Sequence, residues 1–155
     1  MILNIGGVMS SNTVMEGSPC PVARSVNLIG DRWSLLIVRD AFDGVRRFGD
    51  FQRSLGVARN ILSDRLRKLV DANILELKDA SDGTAYQEYV LTEAGESLFP
   101  IVVALRQWGE VNLFREGEPH SILIDKQTQS PIPAMYPLSH DGKTLSPNET
   151  EVIKN

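Results

Sequence analysis

The spacing of apolar residues predicts a mainly helical chain with one small β-hairpin. Apolar positions recur every three or four residues along most of the first 114 residues, the period of a helix that packs on one face. The predicted helices cover residues 21–30, 32–42, 48–55 and 58–73, and a further helix begins at Thr92. Residues 74–78 and 85–91 predict two strands joined at the turn dipeptide Asp82-Gly83. The expected fold class is therefore α+β.

Capping chemistry marks the starts of the first two helices. Pro21 suits the first helical position, which makes Cys20 the N-cap residue. Asp31 can cap the second helix by accepting hydrogen bonds from its free N–H groups. The second helix is expected to face the core with Trp33, Leu36, Ile37 and Ala41.

The third and fourth predicted helices have the outline of a helix-turn-helix. Gly56-Val57 separates them, and glycine adopts the left-handed backbone of such a turn at little cost. The longer helix has one apolar stripe, formed by Leu62, Leu66, Leu69 and Val70. Because the hairpin follows directly, the expected architecture is a winged helix-turn-helix.

Positive charge is concentrated in this helix-turn-helix. The chain of 155 residues carries a net charge of −4, yet residues 46–68 hold seven Lys/Arg against two Asp. A basic segment in an acidic protein is typical of a surface that approaches a polyanion. The alternative is a solvated amphipathic helix with a surplus of arginine.

The expected partner is double-stranded DNA, read by the second helix in the major groove. The residues predicted to read bases are Arg59, Asn60, Ser63 and Arg67, and Arg67 could instead contact phosphate. The predicted phosphate contacts are Arg46, Arg47, Arg53 and Lys68. The predicted wing contacts are Lys78, Tyr86 and Gln87, ranked lower because Asp79 and Asp82 make the tip acidic.

The last long helix is too apolar for a single small domain to cover. Pro100 should kink or divide it. Part of this surface is expected to pair with a second subunit, together with the first helix, although it could instead close its own core. The predicted interface residues are Val22, Val26, Ile101, Leu105 and Trp108.

Composition divides the chain into three segments. Residues 1–18 predict an N-terminal arm, residues 19–114 the DNA-binding domain with its dimerisation helices, and residues 115–155 a C-terminal extension. The extension holds five of the eight prolines and is expected to be loose or to form a small hairpin, with short strands at 121–125 and 135–138.

Other classes of protein find little support. The sequence has no phosphate-binding glycine loop, no metal-ligand spacing and no Ser/His/Asp arrangement, so we expect no enzyme, cofactor or metal. We also expect neither a membrane span nor a signal peptide, because no apolar run approaches the length needed to cross a bilayer and the first residues lack a charged stretch followed by a long apolar one. A single cysteine fits a reducing cytoplasm.

Several motifs resemble the HxlR family of bacterial transcriptional regulators, which are similar to MarR-type winged-helix proteins. The motifs are Cys20-Pro21-Val22, Ile29-Gly30-Asp31-Arg32-Trp33, Arg47-Phe48, the Leu62/Leu66/Leu69 spacing, Tyr89-x-Leu91-Thr92-x-x-Gly95 and Trp108-Gly109. The resemblance implies a homodimer built from the first and last helices on a pseudo-palindromic operator. The chain departs from the family pattern at Ala58, where a Ser or Thr cap is usual, and in its tail, which has no cysteine.

Two routes for a regulatory signal stay open. The helix dipole favours the thiolate of Cys20, and the resemblance implies that this position can sense oxidants or electrophiles. Cys20 could equally be an inert interface thiol. A small-molecule effector could bind among Trp33, Phe42, Trp108 and Phe114, although these aromatics could be plain core. A separate alternative concerns the function itself: the winged helix could bind another protein instead of DNA.

Overall fold

Pro21 and Asp31 start the first two helices of the computed structural model, which describes residues 16–155. Helix α1 spans Pro21–Ile29 with Cys20 as its N-cap residue. Helix α2 spans Arg32–Phe42, and Asp31 Oδ2 accepts hydrogen bonds from the N–H groups of Trp33 and Ser34 at 3.1 and 3.0 Å. Both predicted starts are confirmed. The predicted arm, residues 1–18, falls mostly outside the described residues.

The core face of α2 is rotated from the predicted one. Ile37 is buried as expected, but Trp33, Leu36 and Ala41 are only half-buried. The residues of α2 that are buried are Ser34, Ile37, Val38 and Asp40. Trp33 is instead partly covered by the Arg32 guanidinium, 4.7 Å from its ring centroid. The amphipathic pattern was misassigned because a large aromatic was assumed to face inward.

Helices α3 (Phe48–Leu55) and α4 (Arg59–Asp71) form the predicted helix-turn-helix. Gly56 ends α3 with φ of 62°, the left-handed conformation that the turn requires. Leu62, Leu66 and Leu69 of α4 are buried with Phe51 of α3. Helix α4 ends two residues before the predicted end because Asn73 adopts a left-handed φ of 59°.

The two strands follow α4 as an antiparallel hairpin, which we call the wing. Strand β1 (Leu75–Asp79) pairs with β2 (Gln87–Leu91), so that Leu75 faces Leu91 and Asp79 faces Gln87. The predicted strand bounds were wrong by one or two residues, and the connection occupies residues 80–86. Strand β2 begins two residues later than predicted because the turn is wider than a two-residue one, and within it the Asp82 side chain accepts hydrogen bonds from Thr84.

The predicted last helix is divided into two helices by residues 97–98. Helix α5 (Glu93–Glu96) starts at Thr92, whose Oγ1 accepts a hydrogen bond from the Gly95 N–H at 3.0 Å. A Cβ at Gly95 would overlap the carbonyl oxygen of Ile74, so this position accepts only glycine. Helix α6 (Phe99–Asn112) has Pro100 in its first turn, which confirms the predicted division.

The chain forms two compact units, one extending to Phe99 and the other spanning Pro100–Asn155. In the second unit, Arg106 of α6 donates hydrogen bonds to Ser121, and Gln107 exchanges hydrogen bonds with Pro133 and Met135. The predicted tail strands are reduced to two isolated bridges, Ile124–Pro131 and Leu138–Thr144. A predicted segment boundary after residue 114 stays a prediction. Within residues 16–155, no helix has the length and apolarity needed to cross a membrane.

Candidate nucleic-acid interface

The first two turns of α4 present three exposed polar side chains, Arg59, Asn60 and Ser63. Within residues 16–155, none of the three has a side-chain hydrogen bond or an ion pair. The Arg59 guanidinium lies 4.8 Å from the centroid of the Phe48 ring, a cation–π contact with α3. Arg59 is therefore held near the turn, and the hydrogen-bonding groups of all three side chains stay available to a ligand.

The second half of α4 is organised around Asp64. Its carboxylate oxygens form ion pairs with three side chains, at N···O distances of 2.5 Å to Arg65, 2.8 Å to Arg67 and 3.2 Å to Lys68. The hydrogen bond from Lys68, followed by that from Arg67, lowers the pKa of Asp64. Arg67 also lies 3.9 Å from Asp71. Three cations of the basic segment thus share one carboxylate, a pairing that the charge count did not reveal.

Arg65 also links α4 to the start of α2. Its Nε donates a hydrogen bond at 3.0 Å to Asp31 Oδ2, the same oxygen that caps α2. Burial raises the pKa of Asp31, but the Ser34 hydrogen bonds and Arg65 outweigh it and leave the pKa below its ordinary value. Asp31 and Arg65 therefore orient α4 against α2, a structural role that the sequence analysis did not assign.

The predicted phosphate contacts of α3 and the preceding segment are also paired with carboxylates. Arg53 donates to Asp50 in the same helix. Arg46 Nη1 lies 3.5 Å from Glu88 on the wing, and Arg47 Nη2 lies 2.5 Å from Asp82 at the wing tip. A phosphate would have to share or replace these partners.

The wing carries its three predicted contact residues, Lys78, Tyr86 and Gln87, on exposed positions. Lys78 lies 3.8 Å from Glu76, and the Tyr86 ring lies beneath the Arg47 guanidinium at 4.9 Å. Hydrogen bonds from Thr84 lower the pKa of Asp82, and Arg47 adds to the effect. A half-open cleft of about 480 Å³ separates α3 from the wing, with Arg47, Arg53, Tyr86 and Gln87 in its walls.

The candidate sensor and interface residues are exposed. Cys20 carries a free thiol, and Arg24 Nε donates a hydrogen bond to the Ser18 carbonyl at 2.5 Å. Val22 of α1 is 69% exposed and Trp108 of α6 is 60% exposed. The remaining predicted interface residues, Val26, Ile101 and Leu105, are exposed as well. These positions offer apolar surface on both helices.

The aromatics predicted to line an effector pocket have separate neighbours. Phe42 packs edge-to-face on Phe99 at 5.2 Å, and Phe114 packs against His120 at 5.0 Å. Trp33 lies against Arg32, and Trp108 is exposed. An effector site at these residues stays a prediction. In the part of the chain that the structure describes, no cluster of three or more His, Cys, Asp or Glu could hold a metal ion.

Two helices joined by a glycine turn and followed by a hairpin define a winged helix-turn-helix, with a basic surface on its second helix. The chain belongs to the HxlR-like helix-turn-helix family, whose sequence model matches residues 28–117. This confirms the resemblance drawn from the motifs. The family is one of transcriptional regulators, which confirms the expectation that the chain is not an enzyme.

Relatives and solved structures agree with this assignment. An uncharacterized HTH-type transcriptional regulator of Mycobacterium tuberculosis, Rv3095, is 50% identical over 99 residues, and the match spans 63% of each chain. The crystal structure of PA1607, a candidate transcription factor, is 45% identical with a TM-score of 0.87 and covers 92% of this chain and 99% of its own. The redox regulator HypR in its reduced form is 32% identical with a TM-score of 0.56, covering 61% of this chain and 94% of its own.

Proposed function

We propose that the protein is a transcriptional regulator that binds double-stranded DNA sequence-specifically as a homodimer. The observation that carries the proposal is the exposed trio of Arg59, Asn60 and Ser63 on the second helix of the helix-turn-helix. Arginine pairs with guanine and asparagine with adenine through two hydrogen bonds in the major groove. Because no carboxylate among the described residues competes for Arg59, this trio can meet base edges without breaking an ion pair.

The surrounding cations supply affinity without sequence information. Arg46, Arg47, Arg53 and Lys68 are proposed to contact phosphates, and Arg67 to contact either a base or a phosphate. Exposed ion pairs are worth about 0–1 kcal/mol, so exchange of a carboxylate for a phosphate costs little. The wing residues Lys78, Tyr86 and Gln87 are proposed to add contacts beside the helix.

Dimerisation would place two copies of α4 on one side of the duplex. Support comes from the exposed apolar residues of α1 and α6, chiefly Val22 and Trp108. Two-fold symmetry then implies a pseudo-palindromic operator with half-sites about one helical turn apart. Sedimentation equilibrium of wild type and Trp108→Glu tests this point: we expect a dimer that the charge dissociates, with Tyr136→Glu in the tail as the charge control. A monomeric wild type would refute it.

Selection of duplexes from a random library tests DNA recognition. We expect enrichment of a two-fold symmetric site and an affinity that falls steeply with salt. Lys68→Ala should reduce the slope of log K against log salt by about 1 and weaken all sequences alike. Arg32→Ala, which removes the same charge outside the helix-turn-helix, is the matched control. Absence of salt-dependent duplex binding would favour the protein-interaction alternative.

The signal is proposed to enter at Cys20. The thiol is free and exposed at the start of α1, and HypR, a relative of similar fold, is a redox regulator with reduced and oxidised structures. With one cysteine in the chain, an oxidised product would join two subunits or carry a small cap. A thiol oxidant should release wild type from the selected DNA and spare Cys20→Ser. Equal release of both would contradict this route, and release of neither would direct the search to a small-molecule effector.

A further inference from the structure

The wing is fastened to the segment before α3 at two points. In the middle of β2, the Tyr89 N–H donates to the Arg46 carbonyl at 2.7 Å, and the Arg46 guanidinium reaches the neighbouring Glu88, which is 7% exposed. At its tip, the Arg47 guanidinium meets Asp82 and lies over the Tyr86 ring. Two consecutive arginines therefore fix the wing against the helix-turn-helix.

Asp82 connects the turn of the wing with Arg47 and, through Arg47, with the start of α3. One carboxylate oxygen accepts hydrogen bonds from the Thr84 N–H at 3.0 Å and the Thr84 hydroxyl at 2.8 Å, which shape the turn. The other oxygen accepts from Arg47, whose own carbonyl accepts the N–H groups of Asp50 and Phe51 in the first turn of α3. The carboxylate thus joins the turn of the wing to the residue that starts α3.

We propose that Asp82 is a positioning residue that holds the wing on Arg47 in the orientation needed for sequence-specific DNA binding, an inference that rests on the proposed function. An acidic residue at a DNA-facing tip should, by charge alone, only repel phosphate. Paired with Arg47 and hydrogen-bonded to Thr84, it instead orders the tip before DNA arrives, which reduces the entropy lost on binding.

The variant Asp82→Asn distinguishes repulsion of phosphate by the carboxylate from its role in ordering the wing tip. Asparagine keeps an oxygen acceptor for Thr84 and so preserves the turn, but it removes the charge that holds Arg47. The matched control is Asp79→Asn, which removes the same charge from the wing at a residue that forms no ion pair among the described residues. If Asp82 acted by charge alone, both variants would bind every duplex more tightly by the same factor.

The measurement is the ratio of affinities for the library-selected duplex and a random duplex, together with amide hydrogen exchange of residues 83–86 in the free protein. We expect Asp82→Asn to lower the ratio about two- to fivefold and to accelerate exchange, and Asp79→Asn to leave both unchanged. Arg47→Gln should lower the ratio by a similar factor, and the double variant should lose no more than either single one.

A ratio that Asp82→Asn leaves unchanged, with wild-type recognition intact, would overturn this inference alone. Additive falls of the ratio in the double variant would also contradict it, because Asp82 and Arg47 would then contribute to recognition independently of each other. If wild type bound no duplex, the proposed function would fail first, and the role of Asp82 in DNA binding would fall with it.

Discussion

The two halves of α4 carry similar side chains and use them differently. In the first half, Arg59 rests on an aromatic ring, and Asn60 and Ser63 make no side-chain contact with a polar partner among the described residues. In the second half, Arg65, Arg67 and Lys68 all converge on Asp64. The comparison teaches that the number of cations on a helix does not give the number available to a ligand.

The difference follows from the placement of acids on the helix. Asp64 lies three and four residues before Arg67 and Lys68, the spacing at which helical side chains meet. No acid lies at either spacing from Arg59 within α4. We propose that the free half recognises bases and that the paired half holds α4 in place and attracts phosphate.

The largest expected effect comes from the buried face that both halves share. Leu66→Ala should reduce the free energy of unfolding by about 2–5 kcal/mol, because Leu66 is fully buried and the cavity cannot collapse completely. Urea denaturation measures it. Ser63→Ala on the exposed face is the control and should stay within about 0.5 kcal/mol of wild type. Equal losses would mean that α4 does not pack through this stripe.

A smaller effect should separate capping of α2 from its link to α4. Asp31→Ala should cost about 0.5–2 kcal/mol of stability, because α2 loses its N-cap acceptor. Asp31→Asn keeps that acceptor and loses the ion pair with Arg65, so its loss should be smaller. Urea denaturation of the two variants distinguishes them. A larger loss for Asp31→Asn than for Asp31→Ala would contradict the assignment.

The smallest expected effect is a loss of stability at acid pH. The pKa values of Asp31 and Asp64 are lowered in the folded protein, so their stabilising contribution is present at neutral pH. This contribution should be lost as the pH falls below about 4, the pKa of aspartate in the unfolded chain, and through the lower pKa values of the folded protein. The stability difference between wild type and Asp31→Asn should therefore narrow below about pH 4. A difference that widened in acid would reverse the inferred sign.

Much of the fold was predictable because local chemistry determines it. Pro21, Asp31, Gly56 and Thr92 each act on the helix end beside them, and the structure confirms those ends. The core face of α2 was not predictable in the same way. Trp33 was expected to face inward, whereas Ser34 and Asp40 are buried because of tertiary packing that one helix does not encode.

The position of the candidate site was predictable from the sequence, but the ion pairs formed by its arginines were less so. The exposed face of α4 was foreseen from the Leu62, Leu66 and Leu69 stripe. The pairing of Arg65 with Asp31 and of Arg47 with Asp82 joins residues more than 30 positions apart, so no local spacing could reveal it. The contacts of Asp64 with Arg67 and Lys68, in contrast, follow helical spacing and could have been read from the sequence.

The most direct test of the account compares Arg59 and Arg67, the free and the paired arginine of the same helix. For each alanine variant, the affinity for the library-selected duplex is divided by that for a random duplex. We expect Arg59→Ala to lose about 1–3 kcal/mol on the selected duplex only, so that this ratio falls. Arg67→Ala should weaken both duplexes to a similar, smaller extent. Equal losses on both duplexes for Arg59→Ala, or a larger fall in the ratio for Arg67→Ala, would contradict the division of α4 into a reading half and a holding half.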